Sequence, residues 1–169
     1  MRPRHPLPRL WLMTDERQGD ALWTALDRLP RGAGVVFRHY VAADRWAVYA
    51  RVRRVARRRG LVLVVAGEAR LPGADGVHNR RGPGLRTGAA HGVAELRRRE
   101  REGVDLVFVS PVFATQSHAG AAVLGPVRFG LIARLARMPV IALGGMDAAK
   151  FSRLERLGAF GWAGIDAWR

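Results

Sequence analysis

The chain contains no cysteine, which removes disulfides and thiolate chemistry and leaves metal binding to carboxylates, histidine and backbone oxygens. Lysine is almost as scarce, since Lys150 is the single exception among 29 basic residues, all the others being arginine. Acidic residues number 14, leaving a formal net charge of +15. No apolar run approaches the ~20 residues that a membrane-spanning helix needs. The basic start, Met1 to Arg9, leads only into an apolar stretch of strand length, so neither a signal peptide nor a membrane anchor is expected and a cytoplasmic location is. No G-x-G-x-x-G follows the first apolar run, which argues against a dinucleotide-binding sheet.

An excess of positive charge raises the question of a nucleic-acid partner. The near-exclusive use of arginine, together with abundant alanine, glycine and valine, is the pattern that codon bias in a G+C-rich genome produces. Arg51, Arg53, Arg54, Arg57, Arg58 and Arg59 fall opposite Val48, Val52, Val55 and Ala56 on a helix, as a solvated face would. Aromatic residues do not interleave with the arginines as a base-stacking surface requires. No nucleic-acid partner is expected.

At 169 residues, 49% of them hydrophobic, the chain is sized for one core and one domain spanning 1–169. Apolar runs of strand length recur along it. Leu10 to Met13 precedes a helix capped by Asp20 and carrying Leu22, Trp23, Leu26 and Leu29. Gly34 to Phe37 precedes the arginine-rich helix, with Asp44 as its cap and Gly60 at its end. Leu61 to Ala66, Gly73 to His78 and Arg86 to His91 follow with no room for full helices between them. Alternation then resumes: a helix over 92–102, a strand over Leu106 to Val109, a helix from Pro126 through Val127, Leu131 and Leu135, and a strand over Val140 to Leu143. A helix capped by Asp147 and a last strand, Gly161 to Ile165, close the chain. Eight strands separated mostly by helices predict a parallel (β/α)8 TIM barrel, shortened, with helices missing or vestigial after strands 3, 4 and 8.

Two segments carry chemistry. Asp105 to His118 is an apolar run ending in Ser110, Thr115, Ser117 and His118, and Pro139 to Met146 is another ending in Gly144 and Gly145. Apolar strands that stop at hydroxyls or glycines suit the ligand-facing end of a parallel barrel. With Leu12 to Asp15, Gly73 to His78 and Gly158 to Ala167, these segments resemble the thiamine-phosphate synthase and thiazole tautomerase superfamily over nearly the whole chain. The resemblance implies a barrel that binds a thiazole phosphate at the C-terminal ends of its strands. Its synthases join that thiazole to a pyrimidine pyrophosphate with magnesium, whereas its tautomerases aromatise the thiazole precursor without metal.

Position by position the resemblance is uneven. Arg38 matches an arginine after strand 2, but Tyr40 replaces a lysine. Ala66 and Gly67 replace an Asn-Asp pair serving pyrophosphate and magnesium, Asn79, Arg80 and Arg81 stand where a second magnesium aspartate belongs, and Ala89 replaces a serine. Thr115 and Ser117 keep two hydroxyl positions and His118 replaces a lysine. His91 occupies the position of the tautomerases' proton-transferring histidine, a role that imidazole suits near neutral pH. Gly144 and Gly145 allow backbone N–H groups to approach a phosphate. Asp166 stands where a serine is usual, and a carboxylate there opposes a phosphate unless an arginine intervenes.

Three readings follow. The first is a tautomerase-like enzyme with His91 as acid or base and Arg38, Thr115, Ser117, His118, Gly144, Gly145 and Asp166 around the ligand. The second is a synthase with a rebuilt pyrophosphate site, and the third a non-catalytic binding barrel. The expected partner is a small thiazole phosphate or related ligand, with a homo-oligomer left open. No metal ligand is assigned and no cofactor is expected, magnesium entering only under the second reading. A random DNA duplex titrated with the protein should show no mobility shift near physiological salt.

Overall fold

The computed structural model describes residues 6–41, 43–68, 71–115, 120 and 122–168. Its strands are β1 (Leu10–Met13), β2 (Gly34–Phe37), β3 (Val62–Ala66), β4 (Gly76–His78), β5 (Leu85–Ala90), β6 (Leu106–Val109), β7 (Val140–Leu143) and β8 (Gly161–Gly164). They are hydrogen-bonded in sequence order as a closed parallel barrel. The helices are α1 (Ala21–Arg28), α2 (Arg45–Arg59), α3 (Val93–Glu102), α4 (Gly125–Leu135) and α5 (Ala148–Glu155). They follow β1, β2, β5, β6 and β7, so among the described residues no helix follows β3, β4 or β8, as the sequence predicts. No helix among the described residues is long and apolar enough to cross a membrane.

The chain forms two compact units, Met1–Arg86 with Ile165–Arg169, and Thr87–Gly164. In the first, strand alternation sorts side chains onto two faces. Leu12, Val35, Phe37, Leu63 and Val65 pack with Leu22 and Leu26 of α1 and Tyr49, Val52 and Ala56 of α2 in one buried cluster. The opposite parity, Trp11, Met13, Val36 and Val64, is equally buried on the other face. Trp11 lies opposite Gly34 in register, and its ring occupies the space that a side chain at Gly34 would need. The Tyr49 hydroxyl donates to the Pro72 carbonyl at 2.9 Å, tying α2 to the helix-free crossover between β3 and β4.

The second unit packs Leu96, Phe129, Ile132 and Leu154 against the buried strands β6 and β7. Arg99 is itself buried there, its Nε donating to the Ala89 carbonyl at 2.9 Å and its Nη1 paired with Glu102 at 2.7 Å. That arginine is structural, in contrast to the exposed Arg54, Arg57 and Arg58 of α2.

Several local expectations shift. Asp20 and Asp44 precede α1 and α2, but neither side chain caps its helix; Asp20 is already in helical conformation, with φ −68° and ψ −23°. The cap belongs to Asp15, which starts a single 3-10 turn at Glu16–Gln18 and forms a capping box with Gln18. Strand β4 begins at Gly76 rather than Gly73, because Asp75 is held beforehand, its carboxylate accepting the Leu63 N–H at 2.8 Å. On α4 the buried residues are Phe129, Gly130 and Ile132, whereas Val127, Leu131 and Leu135 face solvent.

Gly34→Ala should destabilise the fold by about 1–3 kcal/mol, the range for forcing extra volume into a packed interior. Urea-unfolding midpoints of the two proteins measure this.

Candidate functional site

Each unit gathers polar side chains immediately after its strands. In the first, the organising group is Thr14, fully buried just beyond β1. Its N–H donates to Val36 O at 2.9 Å, its hydroxyl accepts the Arg38 N–H at 2.9 Å, and the same hydroxyl lies 3.1 Å from His39 Nδ1. The Thr14 carbonyl also takes the Arg38 Nε donor at 3.1 Å. One residue therefore fixes both the backbone and the guanidinium of Arg38.

Arg38 further approaches the Asp15 carboxylate, with Nη2 3.5 Å from Oδ2, while Arg17 binds Asp15 more closely, with Nε 2.8 Å from Oδ1. The Arg17 hydrogen bond is the main reason that the Asp15 carboxyl is held below its ordinary range. Burial lowers the Arg38 guanidinium from its usual value, partly offset by Tyr40 and Asp15. Asp166, after β8, lies within electrostatic reach of Arg17.

His39 follows Arg38 and carries no sequence pattern, yet it is buried, stacked on Phe37 with centroids 4.9 Å apart and planes 3° apart. Desolvation pushes its pKa down, against the pull of Glu16, Asp15 and Asp44. Beside it a cavity of about 420 Å³ opens between α1 and α2, lined by Glu16, Asp20, Asp44 and Trp23. Arg51 already covers the Trp23 ring there at 3.7 Å, and His39 links this cavity to the strand-end network.

In the second unit His91 directly follows β5 and is solvent-exposed. Its Nδ1 is 2.8 Å from the Ser110 carbonyl oxygen at the end of β6. A carbonyl only accepts, so Nδ1 is the donor, and the tautomer that makes this bond leaves the lone pair on Nε2. The His91 N–H is held by the Glu95 carboxylate at 2.9 Å, which anchors the start of α3 to the same residue.

Gly144 and Gly145 follow β7 with φ of 100° and 59°. The chain after β6 zips onto them: Val112 N–H donates to Leu143 O at 2.9 Å and Phe113 N–H to Gly144 O at 3.1 Å. A Cβ on Gly144 would come within 2.8 Å of Pro111, and one on Gly145 would collide with the Ala114 carbonyl. The glycines thus serve close approach of two loops, a need that operates with or without ligand. Lys150 completes the loop, its Nζ donating to Gly145 O at 2.6 Å and pairing with Asp147 at 3.0 Å. Thr115 is half-buried in the chain after β6. Ser117 and His118 lie outside the described residues. Sequence reading missed Thr14, Arg17 and His39, although a threonine, an arginine and a histidine flanking strand ends is the signal that would have found them.

The resemblance implies magnesium for synthases, and the donors present do not fit it. Hard divalent cations take oxygen ligands, with carboxylates foremost. The residues ending β3 and β4 are Ala66, Gly67, Glu68, His78, Asn79 and Arg80, so the exposed Glu68 is the single carboxylate among them, and Asp75 is spent on the Leu63 N–H at the opposite end of β4. Among the described residues no group of three or more His, Asp or Glu side chains is placed to hold a metal ion.

A closed parallel barrel of eight strands, most of them followed by helices, defines the (β/α)8 class of proteins. Within that class the chain belongs to the thiamine monophosphate synthase family, whose profile matches residues 11–168. It is 30% identical to a protein of Aquifex aeolicus provisionally named thiamine-phosphate synthase 2, over 94% of this chain and 96% of the relative. It is 32% identical to the thiamine-phosphate synthase of Thermus thermophilus, over 90% of this chain and 85% of that one. The structure of a thiamine phosphate pyrophosphorylase from Pyrococcus furiosus superposes with a TM-score of 0.73 at 20% identity, over 95% of this chain and 86% of that one, which speaks for the fold.

A histidine whose pKa is lowered in the folded state leaves the unfolded chain binding more protons at mildly acid pH. Stability should then fall as the pH drops below the unfolded value of about 6.5, with a slope of at most about 1.4 kcal/mol per pH unit. Urea titrations at pH 7.5 and 5.5 should show this loss, and His39→Asn should reduce it.

Proposed function

We propose that the chain is a single barrel domain acting on a thiazole phosphate of thiamine biosynthesis, as a tautomerase-like isomerase without full synthase activity. The observation that carries this reading is the hydrogen bond from His91 Nδ1 to Ser110 O. It fixes the tautomer and the ring plane, so that Nε2 is available to take the proton from the sp3 ring carbon of the thiazole precursor and return one to the outer carbon of an exocyclic double bond, which moves into the ring. The reaction is an isomerisation: one C–H bond is lost, one bond to hydrogen forms elsewhere, and the ring becomes aromatic. Nothing leaves, so no leaving-group charge has to be balanced, in keeping with a donor set ill suited to magnesium.

Thr115, Ser117, His118, Gly144 and Gly145 are assigned to binding on the same reading, with hydroxyls and backbone N–H groups as donors to the phosphate. Arg38 and Asp166 are kept as substrate-binding residues in the same proposal, and the reaction is placed in the cytoplasm. The names of the relatives favour a second reading, a synthase that handles pyrophosphate without the usual carboxylates.

Thiazole phosphate should raise the Tm equally with and without magnesium. His91→Ala should keep that shift while slowing aromatisation by about 10²- to 10⁴-fold, the usual worth of a positioned acid or base. An unchanged rate in the variant would remove His91 from the mechanism. Formation of thiamine phosphate from thiazole phosphate and pyrimidine pyrophosphate would establish the second reading instead.

A further inference from the structure

We infer that the cavity between α1 and α2 binds a small organic cation with a flat guanidinium head and a second positive group, as in a guanidino-alkylamine. The inference goes beyond the His91 reading and does not depend on it.

In a chain of net charge +15 this cavity gathers three of the 14 acidic residues, Glu16, Asp20 and Asp44, against a single arginine, Arg51. Glu16 is partly engaged, its Oε1 accepting the Val41 N–H at 2.8 Å. Asp20 and Asp44 are not. Each precedes a helix without capping it, both are exposed, and among the described residues neither side chain has a hydrogen bond or ion pair.

Two independent features of the walls point to what completes those carboxylates. The guanidinium of Arg51 lies over the Trp23 ring, 3.7 Å from the centroid, with no hydrogen bond or ion pair among the described residues. The ring already accepts a planar cation, and cation–π attraction is what holds it there. His39 is the buried member of the lining, at 5% exposure. Its Nδ1 is committed to the Thr14 hydroxyl at 3.1 Å, whereas Nε2 has no partner among the described residues. The tautomer that donates from Nδ1 leaves Nε2 an acceptor, which the N–H of a cation satisfies and an anion does not.

A cavity of about 420 Å³ is of the size that takes a small molecule. Stacking on Trp23 selects a flat head, and carboxylate oxygens match the paired N–H donors of a guanidinium. Three carboxylates set against one arginine leave a net charge of −2, so a second cationic group balances the site. The ligand takes the ring from Arg51, whose exposed side chain moves into solvent.

Calorimetric titration of the full chain with agmatine, which carries a guanidinium and an ammonium, tests this, with putrescine as the diamine that lacks the flat head. Agmatine should bind at one site per chain, at least about threefold tighter than putrescine, the worth of a partly exposed cation–π contact. Asp20→Asn and Asp44→Asn should each weaken it by about tenfold, the worth of one charge-assisted pair. Both aspartates are exposed and cap nothing, so neither change threatens the fold. Asp27→Asn, on α1 but paired with Arg58 outside the cavity, should leave affinity unchanged. Arg51→Gln frees the ring and should tighten binding by about threefold or more, whereas Arg54→Gln, on the exposed face of α2, should not. The inference is overturned by no binding, by putrescine binding as tightly as agmatine, by equal loss in Asp27→Asn, by wild-type affinity in both cavity asparagine variants, or by weaker binding in Arg51→Gln.

Discussion

A polar group buried at the end of a strand must find a protein partner or leave its desolvation uncompensated, at roughly 1–3 kcal/mol for each group. That constraint shapes both units. After β1 it is met by Thr14, whose single hydroxyl serves the Arg38 N–H and the His39 ring. After β6 it is met by Ser110, whose carbonyl orients His91. Each bond satisfies a buried group and at the same moment fixes a side chain with chemical capacity. Stability and side-chain positioning come from the same contacts here.

The aromatic packing of the first unit extends that logic. Phe37, at the end of β2, meets Tyr49 edge-on at 5.4 Å, stacks on His39 and lies under Arg45. Tyr49 anchors the helix-free crossover through Pro72, so one ring connects the packing of α2 to the polar end of β2. In a barrel that lacks helices after β3 and β4, the long α2 and its aromatic contact stand in for part of the missing cover.

The barrel was legible in the sequence because its strands are short apolar runs and its breaks are glycines and prolines. Leu106 to Val109 and Val140 to Leu143 read directly as strands, and Asp147 as a cap whose carboxylate takes the Lys150 N–H. Caps without such a pattern were harder. Asp20 and Asp44 have the right residue type in the right place, yet Asp15 captured the capping geometry because Gln18 answers it three residues later. On α4 the regular apolar row of Val127, Leu131 and Leu135 faces solvent, while the bulky Phe129 and Ile132 take the interior. Of the candidate site, His91 and the glycine loop were recognisable from position, whereas His39 depends on contacts between segments far apart in the chain. Such contacts leave no periodic trace.

The bond from Lys150 to the Gly145 carbonyl gives the molecule an unusual handle. With one lysine in the whole chain, amine-directed chemistry meets a single side-chain ammonium, and it sits on the loop after β7. Reductive methylation with an isotopically enriched reagent would place one observable signal on that loop, turning an accident of arginine-biased composition into a built-in spectroscopic reporter.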